Sequence, residues 1–415
     1  MIVAVFGATG FIGGRAVLEL VHRGHYVRAF GRNRRQLEHL TALPNVETID
    51  LAGPWQEALE GISAVLIALG TLDPKTMQAA HTDWPEQICE TAANHGCARL
   101  VHVSAIGASP DAPTAFLRTK AVGEALVLGH GRPGWTVMRP SLVYGPGGES
   151  MAFLASLAAL PVRFPIRSGP VRPIAVDDLT VSIVDCLESK KPLPPILEAV
   201  GPNAMTIGDY VDGLSRWLAV GQRWKSPIAL NGLMRFGRLF GQRFVNPDTA
   251  AMLARGADGD PAPLGWLTGK RFASLDEGLS RHPATKADRI AAIATPWIEA
   301  LAPALGLFWI VTGVISIAAY ENGLSLLASA GITGGVAIAL ILAGGALDVA
   351  LGLMTFPRRW RIKALLLQAA TILLYTAIAT ILVPGAWADP LGQLLKNGPI
   401  ILLTLFLAHL SKADA

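Results

Sequence analysis

The sequence predicts a parallel α/β domain with a small C-terminal lobe, followed by an all-α bundle of four membrane-spanning helices. Short apolar runs alternate with helical-period segments in the first half of the chain, and long apolar segments fill its last third. The 415 residues exceed one ordinary domain, and with 16% charged residues the chain is more apolar than a soluble protein. We expect an α/β domain at residues 1–195, a small lobe at 196–290 and a membrane domain at 291–415.

Charge and cysteine content exclude several classes of function. The net charge is only +4, and no run of Lys and Arg alternates with aromatic residues, so nucleic-acid binding is not expected. Cys89, Cys97 and Cys186 lack CxxC spacing, which argues against both a metal site and a disulfide framework and favours a reducing, cytoplasmic compartment. The N-terminus has no basic region before its apolar run, so it is predicted to be a strand and not a targeting signal.

Six apolar segments are predicted to be strands of one sheet. Their nearly continuous Val, Ile and Leu content is typical of parallel strands covered on both faces. They are Ile2–Phe6, Tyr26–Phe30, Val46–Ile49, Ala64–Ala68, Arg99–Val103 and Thr136–Arg139. Beyond residue 195 the pattern is looser, with a helical segment at Thr206–Leu218, and we expect this part to complete the domain as a small lobe.

Four apolar segments in the last third are predicted to cross a membrane. About 20 residues span a hydrocarbon core of about 30 Å, and these segments lack the polar face of a helix in a soluble protein. They are Ala302–Tyr320, Ile332–Met354, Ile362–Val383 and the shortest, Leu395–Leu410. The turn after the second span carries Arg358, Arg359, Arg361 and Lys363, whereas the opposite loops carry no Lys or Arg. The positive-inside rule then places both chain ends on the cytoplasmic side of the inner membrane.

The glycine-rich segment GATGFIGG predicts a dinucleotide site. It follows the first strand and precedes a helical stretch, Arg15–His22, which is the context of a Rossmann-type phosphate-binding turn. Glycines let the backbone approach a pyrophosphate, whose charge is stabilised at the start of the helix. The residues expected to contact the cofactor here are Gly7, Thr9, Gly10, Phe11, Ile12 and Gly13.

Arginines at the end of the second predicted strand favour NADP(H) over NAD. A protein that binds NAD usually has an acid there for the ribose 2′-hydroxyl, and this chain has none. Instead it has Arg32, Arg34 and Arg35, and guanidinium groups suit a 2′-phosphate. Arg32 is the first candidate because it is nearest to the strand, and NAD remains the alternative.

With GATGFIGG, VHVSAIGA, FLRTKAVGEALV and VMRPSLVYGPG, residues 1 to about 285 resemble the short-chain dehydrogenase/reductase superfamily. The resemblance is closest to its extended and atypical members, including the nucleotide-binding accessory subunit of respiratory complex I. It implies that Ser104 is the catalytic serine and Lys120 the lysine that holds the nicotinamide ribose. Phe116 stands where the superfamily has its catalytic tyrosine.

The resemblance also assigns the remaining cofactor contacts. It implies that Asp50 and Leu51 flank the adenine, that Ala68, Leu69 and Gly70 line the dinucleotide, and that Pro140 meets the carboxamide. A phenyl ring has no proton to give, so reduction of a ketone needs another donor, such as Tyr144, His102 or water. Tyr144 is better interpreted as a packed aromatic residue and His102 as a hydrogen-bonded histidine of the core, because position alone fixes no proton-transfer geometry.

The C-terminal part resembles the DoxX-like family of four-helix membrane proteins, on the segments LFWIVTG, GALDVALG and LKNGP. Some members of that family belong to quinone-linked systems. Asp348 lies within the second span, and an intramembrane carboxylate indicates either a functional group or a polar contact between helices. Lys396 and Asn397 are expected near a membrane face, where Lys396 would extend towards water.

These features together predict a membrane-anchored NAD(P)H-dependent oxidoreductase of the short-chain type. Its expected acceptor is a quinone or another hydrophobic carbonyl compound, and its expected partners are membrane lipid and a respiratory membrane protein. The alternative is a non-catalytic NADPH-binding protein with a structural or redox-sensing role. Nucleotide-gated transport is a weaker third hypothesis.

Overall fold

The computed structural model describes residues 1–221, 223–230, 247–329, 331–388, 392 and 394–413. Residues 222 and 231–246 of the predicted small lobe therefore lie outside the described residues. The described chain forms two compact units, one within residues 1–292 and the other within residues 293–413.

The first unit is built on a seven-stranded parallel sheet. Its strands are β1 (Ile2–Phe6), β2 (Tyr26–Gly31), β3 (Val46–Asp50), β4 (Ala64–Ile67), β5 (Arg99–Val103), β6 (Trp135–Pro140) and β10 (Ile196–Ala199). Their order is β10-β6-β5-β4-β1-β2-β3. All six predicted strands are present. The seventh, β10, pairs with β6 at the sheet edge; it was not predicted, because four residues with a central acid give no clear apolar run.

The first unit contains helices that cover the faces of this sheet and helices that belong to the rest of the unit. They are α1 (Phe11–His22), α2 (Arg34–Leu40), α3 (Pro74–Gln78), a π-helical turn (Ala79–Asp83), α4 (Trp84–Asn94), α5 (Ala115–Gly129), α6 (Glu149–Ala158), α7 (Val176–Glu188), α8 (Ile207–Trp217), α9 (Pro247–Arg255), α10 (Ala262–Thr268) and α11 (Leu275–Arg281); a short 3₁₀ helix spans Gln56–Leu59. The α1 helix begins four residues earlier than predicted, directly after Gly10. The α8 helix begins at a capping box in which Thr206 and Asp209 bond reciprocally.

Side chains along β1 alternate between two buried clusters. Val3 and Val5 belong to one cluster, which also includes residues of α1 and α7, whereas Ala4 and Phe6 belong to the other. This period of two is that of a strand with apolar layers on both sides. The sheet is therefore covered on both faces, as its composition predicted.

Two short strand pairs and a third buried cluster form the rest of the unit. The strands are β7 (Val143–Tyr144), β8 (Val162–Arg163), β9 (Ile174–Ala175) and β11 (Trp224–Lys225). β7 pairs with β9 and β11 with β8, both in parallel. The cluster includes Tyr144, Tyr210 and Leu214, so α8 packs against the segment that follows the main sheet.

The second unit consists of apolar helices. They are α12 (Lys286–Ala318), α13 (Tyr320–Ser329), α14 (Gly334–Met354), α15 (Arg358–Leu382) and α16 (Asn397–Ala413). Among the described residues, α12, α14 and α15 are long and apolar enough to cross a membrane. The fourth predicted span corresponds to α16, whose 17 residues make it shorter than these three. The predicted loop after the first span contains α13.

Glycines allow α12 and α14 to pack closely. A side chain at Gly345 would place its Cβ 2.9 Å from the carbonyl oxygen of Gly313, and one at Gly352 would lie 2.6 Å from that of Gly306. Small residues at such crossings are typical of membrane helices. Asp348 accepts a hydrogen bond of 3.4 Å from the hydroxyl of Tyr375 on α15. The intramembrane carboxylate therefore has a polar neighbour on the adjacent helix.

Candidate dinucleotide-binding site

The turn between β1 and α1 packs so closely against backbone atoms that two of its glycines have no room for a side chain. Gly7 has a φ of +84°, and a Cβ there would lie 2.7 Å from the carbonyl oxygen of Ala68. A Cβ at Gly13 would lie 2.1 Å from the carbonyl oxygen of Gly7. Gly10 caps α1 without a side-chain hydrogen bond, and the first turn has no acidic residue. The N–H groups at the start of α1 thus fit a diphosphate.

The predicted adenine end lies where β2 and β3 finish. Arg32 follows β2 directly, Arg34 begins α2, and both are exposed. The backbone N–H of Leu51 donates to the carbonyl of Gly31 at 3.0 Å, which brings Asp50 and Leu51 to the same edge as Arg32. Within the described part of the chain, no carboxylate pairs with either arginine. Both guanidinium groups therefore remain available for a 2′-phosphate.

Lys120 on α5 lies buried between the ends of two strands. Its Nζ donates to the carbonyl of Leu69 at 2.8 Å and to that of Val103 at 2.9 Å. An ammonium has three donors, so one remains for a ligand. Burial lowers the pKa of Lys120 to about 8, although Glu124 acts in the opposite direction. The lysine is therefore fixed in place at the edge of the sheet where cofactors bind to parallel α/β folds.

Ser104 and Pro140 end the two strands next to this lysine. The backbone N–H of Ser104 donates to the carbonyl of Met138 at 2.8 Å, and the carbonyl of Pro140 accepts from Ile106 at 3.0 Å. The Ser104 hydroxyl is buried and has no hydrogen-bond partner among the described residues. Because an unpaired buried hydroxyl is unfavourable, this group fits a bound ligand.

Phe116 lies one helical turn before Lys120 and packs edge-on against His81, with ring centroids 5.3 Å apart. The Nε2 atom of His81 accepts from the backbone N–H of Thr71 at 3.2 Å, and Nδ1 lies 2.8 Å from the hydroxyl of Thr119. Burial and the charge of Lys120 lower the pKa of His81 to about 3, so the ring is neutral. Its proton then resides on Nδ1, because Nε2 needs a lone pair to accept.

Sequence reasoning missed His81. The residue lies in a π-helical turn, and its partners on α5 are 35 or more positions away, so no local spacing relates them. A π-helical turn often marks a functional site, but a single sequence does not reveal one.

The two alternative proton donors are both buried, but their surroundings differ. The Tyr144 hydroxyl donates to the carbonyl of Ser274 at 3.1 Å, and burial raises the pKa of Tyr144. His102 is fully buried, and burial with the nearby Lys120 holds its pKa well below the usual value. Neither ring nitrogen of His102 has a hydrogen-bond partner among the described residues. The part of the chain that the structure describes contains no group of His, Cys, Asp and Glu side chains that could hold a metal ion.

Comparison with known proteins relates each part of the chain to a family. Residues 7–143 match the NAD(P)H-binding family, and residues 306–405 match the DoxX-like family. A mitochondrial NADH dehydrogenase [ubiquinone] 1 alpha subcomplex subunit 9 from Dictyostelium discoideum is 25% identical over 57% of this chain and 69% of its own length. Ceramide reductase from Caulobacter vibrioides is 28% identical over 44% of this chain and 60% of its own length. Another curated relative of the subunit 9 type, from Arabidopsis thaliana, is matched over 56% of its length.

Solved structures share the fold of the first unit. UDP-glucuronic acid 4-epimerase from Bacillus cereus, in complex with UDP-glucuronic acid and NAD, has a TM-score of 0.53 at 18% identity and covers 68% of this chain and 97% of its own. A nucleoside-diphosphate-sugar epimerase from Staphylococcus aureus has a TM-score of 0.56 at 16% identity, covering 67% and 99%. The chain therefore joins an NAD(P)-binding Rossmann domain, similar to the complex I subunit relatives and to the epimerase folds, to a DoxX-like domain at its C-terminus.

Proposed function

We propose that this protein is an NADP(H)-preferring oxidoreductase that reduces a lipophilic acceptor, a quinone or another hydrophobic carbonyl compound, at the membrane. The main support is the buried Lys120, which uses two donors on backbone carbonyls and keeps one for a ligand, together with the Ser104 hydroxyl, which has no partner among the described residues. When bound, NADP(H) supplies the hydride. Gly7, Gly10 and Gly13 would hold the diphosphate, and Arg32 would hold the 2′-phosphate.

The side chains near the proposed acceptor position determine what the protein itself contributes to the reduction. Ser104 donates a hydrogen bond to an acceptor oxygen, and Lys120 orients the ribose while its charge favours negative charge nearby. Phe116 contributes only an apolar surface. An acceptor that is reduced without a proton from the protein suits this arrangement better than a simple ketone, because the reduced quinone oxygen is a weak base.

Membrane anchoring supports a lipophilic acceptor. The DoxX-like domain would keep the catalytic unit at the bilayer, and one relative is named a ceramide reductase. Relatives named as NADH dehydrogenase subunits support a respiratory membrane as the setting. The basic turn at Arg358 and Arg359 supports a cytoplasmic first unit and C-terminus in the inner membrane.

Turnover by the full chain tests this proposal. We expect the protein in lipid nanodiscs to oxidise NADPH with a short-chain ubiquinone, and Lys120→Ala to reduce kcat/KM at least tenfold. Phe116→Tyr should create reduction of hydrophobic aldehydes, since it restores the phenol, whereas Phe116→Leu should not. Absence of turnover with every quinone and aldehyde would refute the enzymatic proposal.

A second candidate, a non-catalytic NADPH-binding or redox-sensing protein, is favoured by Phe116 itself. Its ring is held against His81 and offers no proton. NADPH that survives purification and exchanges no hydride with any acceptor would support this alternative. Steady turnover would exclude it.

Orientation is tested by labelling. The native cysteines are buried, so an introduced thiol is the accessible one. We expect Asn322→Cys to react with an impermeant reagent in intact cells, and Lys412→Cys to react only after the membrane is opened. The reverse pattern would contradict the proposed orientation.

A further inference from the structure

A cavity of about 390 Å³ lies in the small lobe, bounded by β8, β11 and the start of α8. Its size falls within the range of small-molecule sites, about 300–1,000 Å³. None of its lining residues has been assigned above to dinucleotide binding or hydride transfer. One part of its wall is charged and another is apolar.

Three cationic side chains occur on the charged part. Arg163 on β8 and Lys225 on β11 are direct partners in the register of this parallel pair. Arg223 lies two residues before Lys225, so the two share one side of the extended chain. Trp224 between them is 83% exposed, as expected for the opposite side. Like charges on neighbouring strands destabilise a sheet, so this arrangement calls for an anion.

The chain's own carboxylates meet this need only in part. Asp212 on α8 accepts from Arg223 at 2.6 Å and from both Nε and a terminal nitrogen of Arg163. Asp209 accepts from the backbone N–H and hydroxyl of Thr206 at the start of α8. Among the described residues, Lys225 has neither an ion pair nor a hydrogen bond from its side chain. Asp212 thus hydrogen-bonds to two guanidinium groups, Asp209 acts on Arg163 through its charge alone, and the exposed ammonium of Lys225 has no partner among the described residues.

Arg223 is the least exposed of these cations. Its side chain is 9% exposed, and a desolvated guanidinium is costly unless its donors are satisfied. A guanidinium has five donors, so Asp212 leaves several free in both arginines. These donors suit the oxygens of a phosphate or carboxylate.

Another part of the wall is apolar. It is formed by Leu157, Phe164, Ile166, Val211 and Leu230. A free inorganic anion would leave this surface in contact with water, whereas a short hydrocarbon chain would cover it. We propose that the cavity binds an amphiphile with a phosphate or carboxylate head, held by Arg163, Arg223 and Lys225, and an apolar chain along this wall.

Calorimetric titration of the full chain in a non-ionic detergent tests the proposal, with hexyl phosphate as the probe. Inorganic phosphate supplies the head alone and hexanol the chain alone. We expect hexyl phosphate to bind at least tenfold more tightly than either. Lys225→Glu should weaken hexyl phosphate at least tenfold, whereas Lys190→Glu, a matched change at another exposed lysine, should leave it unchanged.

A second variant should raise the affinity for hexyl phosphate instead of lowering it. Asp212→Asn removes the carboxylate that competes for both guanidinium groups, so hexyl phosphate should bind severalfold more tightly. A variant that merely disturbs the lobe would weaken binding instead. Equal affinity for phosphate and hexyl phosphate would overturn the amphiphile and indicate a free-anion site. Absence of saturable binding, or equal loss in both lysine variants, would overturn the site itself.

Discussion

Replacing Gly13 with alanine should abolish tight dinucleotide binding. The new Cβ would lie 2.1 Å from the carbonyl oxygen of Gly7, where ordinary contact begins at 3.4 Å. The turn or α1 must therefore move by about 1 Å, which spoils hydrogen-bond geometry at the diphosphate. Loss of two charge-assisted hydrogen bonds at about 1.5–3 kcal/mol each amounts to about 3–6 kcal/mol. NADPH should then bind at least about 100-fold more weakly.

The assay is calorimetric titration of the full chain with NADPH at fixed salt. Gly129→Ala is the control, because it changes a glycine at the end of α5 with nothing within 4 Å of the added Cβ. Thermal unfolding of each variant without nucleotide separates a local effect on the turn from a general loss of stability. An affinity of Gly13→Ala within threefold of the wild type would refute the assignment of this turn to the diphosphate.

Three further predictions concern the cofactor, the buried lysine and the membrane domain. Arg32→Glu should weaken NADPH at least tenfold and leave NADH unchanged, since it removes a cation from the 2′-phosphate; equal losses of both nucleotides would contradict this. Between pH 8 and 10.5 unfolded Lys120 binds the proton that the folded residue has lost, so the free energy of unfolding should rise with pH by about 3 kcal/mol in the wild type. Chemical denaturation of nucleotide-free Lys120→Met should lack this rise, and a rise of equal size would disprove the assigned burial. Gly345→Leu should destabilise the α12–α14 packing by about 1–3 kcal/mol or more, whereas Gly335→Leu, with open space around it, should have little effect on thermal unfolding in detergent.

Local patterns account for what the sequence predicted well. Each of the six predicted strands is an apolar run bounded by a turn, and Gly13 is required by a contact within one strand–turn–helix unit, whereas Gly7 is required by the backbone of Ala68 after β4. Hydropathy predicts the apolar spans. It does not predict that α12 begins as early as Lys286, because the residues before the apolar stretch are also helical.

Tertiary contacts account for the rest. β10 became a strand through pairing with β6, and its own four residues carry no clear signal. His81 reaches Phe116 and Thr119 only because α5 packs on the π-helical turn. The neighbouring charges of Arg163 and Lys225 arise from a strand register that spans about 60 positions. No sequence motif could have indicated the contacts of His81 or the neighbouring charges of Arg163 and Lys225.

The core of the first unit has a consequence for synthesis of the chain. The buried cluster around β1 also contains Leu264 and Phe272, far along the sequence. Shortly after Phe272, α12 begins at Lys286. The ribosome adds roughly 5–20 residues per second, so it makes the first apolar span within a few seconds of completing this core. Parallel sheets form slowly because their contacts are distant in sequence. Folding of the first unit and synthesis of the apolar helices therefore overlap in time, and any change that slows this folding leaves apolar surfaces of both units uncovered at once.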